Sequence, residues 1–300
     1  MIKKIISIYF VIMRIFFIIF VLNFRYIAKM SQKKVLFISQ EIYPYLPETQ
    51  ISLTARNLPQ AIQERGHEIR TFMPKYGNIN ERRNQLHEVI RLSGMNLIID
   101  DTDHSLIIKV ASIQPARMQV YFIDNDDFFQ RKGTIANKNG EEYDDNAERS
   151  IFFIRGVMET IKKLRWIPDI IHCHGWMTAI APLYIKKGYA DDPCFTNSKV
   201  IYSVYNNGFK KEFQPDFPKK LKFDTLGDKE IEELTKRGAF DFNTLTKLAI
   251  DYSDGVVQGS QEIPHEIKNY IADKKVNFLG YEEDFAKSVE AIENFYEELE

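Results

Sequence analysis

The chain has 300 residues, a length that suits two domains or one large α/β domain. It is 44% hydrophobic and 27% charged, and 22 Phe with 15 Tyr are ample for a core, which excludes a largely disordered chain. Lys+Arg 40 against Asp+Glu 42 leave a net charge of −2, so no global basic field draws it to nucleic acid.

In chain order, the first thirty residues differ from the rest. Ile5 to Leu22 is one apolar run interrupted by Ser7 and Arg14 and flanked by Lys3, Lys4, Arg25 and Lys29. It approaches the roughly 20 residues a membrane-spanning helix needs. Arg14 near its middle costs about 2.5 to 3.5 kcal/mol on insertion. Three readings fit residues 1–29: a membrane anchor over 5–22, a signal peptide, or sequence upstream of the true start. A signal peptide lacks its small-residue cleavage site here. Met30 followed by Ser31-Gln32-Lys33-Lys34 and an apolar strand is how many cytosolic α/β domains begin.

From residue 33 strands and helices alternate. Val35–Ser39 reads as a strand buried on both faces. A loop through Pro44 and Pro47 follows, then a helix with Pro59 in its first turn and Gly66 as its stop. His67–Met73 returns as a second strand, completing a βαβ unit. Leu86–Leu92, Asn96–Ile99, Ser105–Ile113 and Met118–Ile123 are short strands with no helix between them, an antiparallel extension. A long helix covers Asn146–Leu164, with Ile151, Ile154, Met158, Ile161 and Leu164 on one face. Asp169–His172 is a strand, Met177–Lys187 a helix and Lys199–Val204 a strand. Asn243–Tyr252, Gly255–Gln258 and Gln261–Ile271 form another helix–strand–helix. The fold class is therefore α/β, one Rossmann-like doubly wound and mostly parallel sheet. Phe285, Val289, Ile292, Phe295 and Leu299 make an apolar stripe on a last helix, expected to dock on this domain.

Ligands of doubly wound sheets sit beyond the carboxyl ends of the strands. Four sets of residues are expected on that rim: Gln40, Glu41, Tyr43 and 46–50; Asp124 to Asp127 with Arg131; His172, His174, Gly175 and Trp176; and Tyr205 to Gly208. Carboxylates, amides and imidazole against aromatic faces suit a sugar, and the rim has little Lys or Arg and no glycine-rich phosphate cradle. His172-Cys173-His174-Gly175-Trp176 is the most informative stretch. Strand alternation points His172 and His174 one way and Cys173 the other. Three readings stand: a metal site lacking a visible third ligand, histidines bonded structurally at a strand end, or a histidine donating to a sugar hydroxyl with Trp176 behind it. The two cysteines, Cys173 and Cys194, offer no disulfide scaffold and no zinc spacing, which fits a reducing compartment. No cofactor and no metal is called for.

Asp169-Ile-Ile-His-Cys-His-Gly-Trp176 resembles the His-x-His-Asp-Trp strand end of bacterial glycogen synthases and plant starch synthases. Val35–Ser39 with Glu41 and Pro44 is similar to that family's opening strand and turn. Leu58-Pro59-x-Ala-Ile, Gly66-His67-Glu68, Met73-Pro74-x-Tyr76, Asp124-Asn125 with Arg131, and Asp145-Asn146-x-x-Arg149 resemble further signatures. Asn243-x-Leu-x-Lys247, Tyr252-Ser-Asp254 and Gly259-Ser260 resemble the segment closing the first domain. The resemblance spans most of residues 33–272. It implies the first lobe of a two-Rossmann-domain (GT-B) glycosyltransferase that moves glucose from ADP-glucose onto an α-1,4-glucan. It also implies His174 as a catalytic residue and Glu41, Asp124, Asn125, Arg131, Asp145, Asn146, Trp176, Asn206 and Asn243 as substrate-binding residues.

The sequence departs from the family where phosphate is handled. Lys-x-Gly-Gly-Leu after the first strand becomes Pro47-Glu48-Thr49-Gln50-Ile51, without lysine or glycine. Val-His-Asn becomes Val204-Tyr205-Asn206, and His-Asp-Trp becomes His174-Gly175-Trp176. The domain that grips the diphosphate in the family is not in these 300 residues. The expected organisation is a leader over 1–29, the synthase-like domain over 30–280 and an amphipathic helix over 281–300. The expected function is a glycogen/starch synthase-like domain inactive alone, or else a glucan-binding or regulatory module, or a scaffold in a membrane-associated polysaccharide assembly. Expected partners are α-glucan or maltooligosaccharide, ADP-glucose weakly, and a separate chain supplying the second lobe, with no nucleic acid. The expected location is cytoplasmic, with residues 5–22 as an anchor in the membrane reading.

Overall fold

The computed structural model describes residues 13–14 and 32–299. The readings of residues 1–29, the anchor over 5–22 included, therefore lie outside the described residues except at Met13 and Arg14. Among the described residues no helix is long and apolar enough to cross a membrane. Residues 34–299 cohere as one compact unit.

The strands of the described residues are β1 (Lys34–Ser39), β2 (Glu68–Pro74), β3 (His87–Glu88), β4 (Met95–Ile99), β5 (Thr102–Ile113), β6 (Met118–Asp124), β7 (Ile170–His174), β8 (Lys199–Val204), β9 (Gly255–Gln258) and β10 (Phe278–Leu279). They lie in the order β10-β9-β8-β7-β1-β2-β6-β5-β3, with β4 paired to β5 off that path. Every pairing from β10 to β6 is parallel, and β5 pairs antiparallel with β3, β4 and β6. The doubly wound, mostly parallel sheet with an antiparallel extension is thus the fold. β1 shows why it closes. Leu36 and Ile38 enter one core and Val35 and Phe37 the other, and all four are fully buried. Each such side chain contributes about 1.5–3 kcal/mol of burial.

The longer helices are α1 (Gln50–Glu64), α2 (Asn146–Leu164), α3 (Phe242–Tyr252), α4 (His265–Lys274) and α5 (Phe285–Glu298). α1 starts nine residues before Pro59, not at it. The Thr49 side chain accepts from Ser52 N–H while the Ser52 hydroxyl accepts from Thr49 N–H, and this closed box fixes the start. Pro59 then sits inside the helix, buried, where it leaves one carbonyl without its usual partner. The expected strand 86–92 shrinks to His87–Glu88, because Leu92 and Ser93 N–H turn back onto Val89 O. The expected helix 177–187 is broken into a 3₁₀ turn (Trp176–Thr178), a short α turn and a π turn (Tyr184–Gly188), with Pro182 in the middle. α4 begins at His265 rather than at residue 261, after Pro264, whose carbonyl receives Ile267 and Lys268 N–H.

α5 packs on the sheet face opposite α2. Val289, Ile292, Phe295, Tyr296 and Leu299 join Val35, Phe37, Leu58, Ile62, Ile170, Ile201 and Val257 in one core. Phe285, expected in the stripe, stays 47% exposed. Gly255 marks the closest approach, since a Cβ there would stand 2.7 Å from the Phe295 ring. The buried Glu293 carboxylate meets Arg65 and lies 3.0 Å from His67 Nε2.

Candidate functional site

β7 runs between β1 and β8, so its carboxyl end lies at the centre of the parallel sheet. His172 and His174 share one face, with ring centroids 4.2 Å apart, as the alternation requires. Both are fully buried, so His174 is not the rim residue expected. α5 covers this face: the Tyr296 hydroxyl lies 2.7 Å from His172 Nδ1, and the Ser203 hydroxyl 2.7 Å from His172 Nε2. His174 Nδ1 lies 2.9 Å from the Tyr205 hydroxyl, which also bonds Thr54 and Ser203. His174 Nε2 meets no partner among the described residues. Burial lowers both imidazoles, His174 to about 3 and His172 well below its usual value, the neighbouring ring adding to the latter. Both rings are neutral at pH 7 and can orient a hydroxyl, but bring no positive charge to a leaving group.

Trp176 is also buried, its ring 4.8 Å from that of Phe209 and 6.0 Å from that of Phe213. It is core, not a sugar platform. Gly175, at φ +87°, turns the chain between His174 and Trp176, and a Cβ there would stand 2.9 Å from Gln40 Oε1. Cys173 points into the other core, where burial pushes its thiol far up.

The β1–α1 loop is braced by its own side chains. The Thr49 hydroxyl donates to Glu41 Oε2 at 2.7 Å, and the Ser52 hydroxyl donates to Pro47 O at 2.9 Å. The α1 start, the natural place for a phosphate, therefore carries its own side-chain partners and a carboxylate. Glu41 acts here as a loop brace.

The remaining expected residues divide. Asp124 is buried 2.8 Å from Lys109, and burial raises its carboxyl while Lys109 lowers it. Asn125 caps the turn Asp126–Phe129 through Asp127 and Phe128 N–H. Asn146 donates to Ile135 O and accepts from Arg149, both buried. Asn243, the second residue of α3, donates to Glu266 at 2.7 Å, and the exposed Asn206 is fixed through its own N–H on Ser260. These five are positional. The sets after β1, β7 and β8 do touch, with Gln40 N–H donating to His174 O at 3.0 Å and His174 Nδ1 2.9 Å from the Tyr205 hydroxyl.

Two clefts remain. In the first, Arg131 donates to Asp145 Oδ2 at 2.6 Å and lies over the Tyr143 ring at 4.2 Å. Asn137, Glu141, Glu142, Asp144 and Lys211 complete this open cleft of about 530 Å³. Arg131 Nε and Asp145 Oδ1 have no partner among the described residues. Tyr143, Glu142 and Lys211 were missed in the sequence, although the acidic run 141–145 beside Asp145 marked the segment. The second cleft, of about 320 Å³, lies between α1, the ends of β7–β9 and residues 279–292, with His174 in its wall. Tyr281, Glu282 and Glu283 line it, and no local pattern pointed to them. Among the described residues no group of three His, Cys, Asp or Glu could hold a metal.

Residues 34–279 match the family model of the starch synthase catalytic domain. The chain is 33% identical over 253 residues to the glycogen synthase of Chlorobium limicola, covering 82% of this chain and 52% of that protein. It is 35% identical over 247 residues to the glycogen synthase of Chlorobaculum parvum, covering 82% and 49%. The chain thus spans about half the length of the curated relatives it matches. A solved catalytic domain of starch synthase IV from Arabidopsis thaliana, bound to ADP and acarbose, superposes with a TM-score of 0.68 at 19% identity, over 83% of this chain and 51% of that one. Fold, motif order and relatives agree: the chain belongs to the bacterial glycogen synthase and starch synthase family and carries part of its glycosyltransferase catalytic domain.

Proposed function

We propose that this domain binds α-glucan through the Arg131–Asp145 cleft and does not by itself transfer glucose from ADP-glucose. The observation that carries this reading is the β1–α1 loop. Pro47, Glu48 and Thr49 stand where the family presents lysine and glycine N–H groups, and Glu41 occupies the α1 start. A diphosphate would meet carboxylates there instead of donors. The Arg131–Asp145 pair offers a planar donor and acceptor against the Tyr143 ring, a combination that suits sugar hydroxyls, and the carboxylates around it repel an anion. The neutral His174 supports the same division, since it stabilises no departing phosphate.

Calorimetry tests both halves. Maltoheptaose should bind with little salt dependence, and Arg131→Ala should weaken it several-fold, as loss of one or two hydrogen bonds of about 0.5–1.5 kcal/mol each predicts. ADP-glucose should bind more weakly than roughly 10 μM, about −6.8 kcal/mol. Tighter ADP-glucose binding, or maltoheptaose binding indifferent to Arg131, defeats the reading. Glucosyl transfer by this chain alone would do the same, whereas transfer on adding a chain that supplies the second lobe is compatible with it.

A further inference from the structure

Two exposed segments of opposite charge stand at opposite edges of the sheet. Residues 82–91, which contain the edge strand β3, carry Arg82, Arg83 and Arg91, all exposed. The three guanidinium groups meet no partner among the described residues. Glu88 is the only acid of residues 82–91, and the neighbouring Glu81 is already held by Lys75 and Lys109, each at 2.7 Å. In the same segment Ile90 is 83% exposed, more than any other large apolar side chain among the described residues. At the far edge β10 runs through Gly280 into Tyr281-Glu282-Glu283-Asp284-Phe285, all five exposed. Asp284 caps α5 and lies 3.9 Å from Lys287, but neither Glu282 nor Glu283 pairs with a cation among the described residues. Tyr281 and Phe285 flank these carboxylates with two rings open to solvent.

We propose that copies of this chain associate head to tail, the basic β3 edge of one copy docking on the acidic segment after β10 of the next. The two surfaces complement each other. Unpaired guanidinium groups and an exposed isoleucine meet unpaired carboxylates set between two aromatic rings, on which arginine also stacks. Docking of like edges would set arginine against arginine, or glutamate against glutamate, so charge selects the unlike pair. At about 4.8 Å per strand the two edges lie roughly 40 Å apart, so a copy docked at one edge leaves the other free. A contact between unlike surfaces then adds copy after copy, in an open row or a closed ring. Both patches are small, so each contact is weak and association needs concentrated protein. The inference uses no residue of the Arg131–Asp145 cleft and stands apart from the glucan reading.

Analytical ultracentrifugation of the full chain, up to about 0.5 mM, is the test. At low ionic strength the mean mass should climb past that of a dimer. Half-molar salt should weaken the association about tenfold, since it shortens the Debye length to about 4 Å. Two neutralised variants separate the edges: Arg82→Gln with Arg83→Gln and Arg91→Gln, and Glu282→Gln with Glu283→Gln. All five side chains are exposed, and glutamine keeps an acceptor for the Asp284 N–H that Glu282 receives, so both variants should melt with the unaltered chain. Each variant alone should self-associate about fivefold more weakly. Mixed in equal amounts, they offer one intact edge each, so the mixture should form dimers with the affinity of the unaltered chain and stop there. An unaltered chain that stays monomeric or stops at the dimer overturns the proposal. So does association indifferent to salt, loss in only one of the two variants, or a mixture no heavier than its parts.

Discussion

Acidification should destabilise this fold well before its carboxylates protonate, because of the paired histidines. His174 is fully buried and its pKa falls from 6.5 to about 3, the cause being desolvation. Between those two values the unfolded chain binds a proton that the folded chain refuses, so stability rises with pH in this window and is lost as pH falls below about 6.5. The slope approaches 1.4 kcal/mol per pH unit for each such group. From pH 7 to pH 4.5 His174 alone should remove about 2–3 kcal/mol. Since 4.5 lies above the folded value, the unfolded pKa sets that figure. His172 is lowered by the same burial and by its neighbour, and adds in the same direction. The two together rival a substantial part of the 5–15 kcal/mol typical of a domain. Urea unfolding at half-unit pH steps, with the histidine ring resonances followed in parallel, measures this. A stability that changes by less than about 1 kcal/mol between pH 7 and 5, or rings that titrate near 6.5, would refute the burial argument.

Other consequences follow from the same geometry. Tyr296→Phe keeps the ring but leaves one nitrogen of His172 unpartnered, so it should cost about 1–3 kcal/mol and lower Tm by several degrees in calorimetry. Gly175→Ala places a methyl against Gln40 at a left-handed φ and should lower Tm by a comparable amount, and an unchanged Tm would argue that the turn relaxes freely. α5 amides around Val289–Phe295 should exchange as slowly as those of β1, since both belong to one core; rapid exchange there would detach the helix from it.

The fold was legible because its strands are short continuous apolar runs and the longest helix of the described residues, Asn146–Leu164, has an unbroken apolar face. Errors gathered where a local signal had two meanings. Pro59 reads as a helix start, but the Thr49–Ser52 box, whose cap lies ten residues earlier, decides the boundary. The stretch 177–187 reads as helix by composition, yet Pro182 and the turn at Gly175 break it into 3₁₀, α and π pieces. The site was less legible for a different reason. Whether a polar residue past a strand end faces solvent depends on what covers it, and His172 is covered by Tyr296, 124 residues away. Asp124, Asn125 and Asn146 carry sugar-binding chemistry but are consumed by Lys109, a turn and Arg149. Arg131 and Asp145 were within reach because fourteen residues and one acidic run separate them.

The β1–α1 loop is where sequence and structure bear most directly on chemistry, and it can be turned around. Pro47 and Glu48 are both exposed, so Pro47→Lys with Glu48→Gln should leave the fold intact while adding two units of positive charge. At about 7 Å in water each unit charge interacts with a phosphate charge by about 0.6 kcal/mol. Two added units against the two charges of a diphosphate give about 2 kcal/mol, roughly a thirtyfold gain in ADP-glucose affinity at low ionic strength. Half-molar salt should erase most of that gain, because the Debye length falls to about 4 Å. Maltoheptaose binding should not change, as the ligand is neutral and the Arg131–Asp145 cleft is lined by residues outside the β1–α1 loop. If the double variant gains nothing for ADP-glucose, Glu41 and the closed Thr49–Ser52 box, rather than the charge of residues 47 and 48, shut the α1 start. If it gains affinity equally for both ligands, the two share one cleft and the division argued from the loop is wrong.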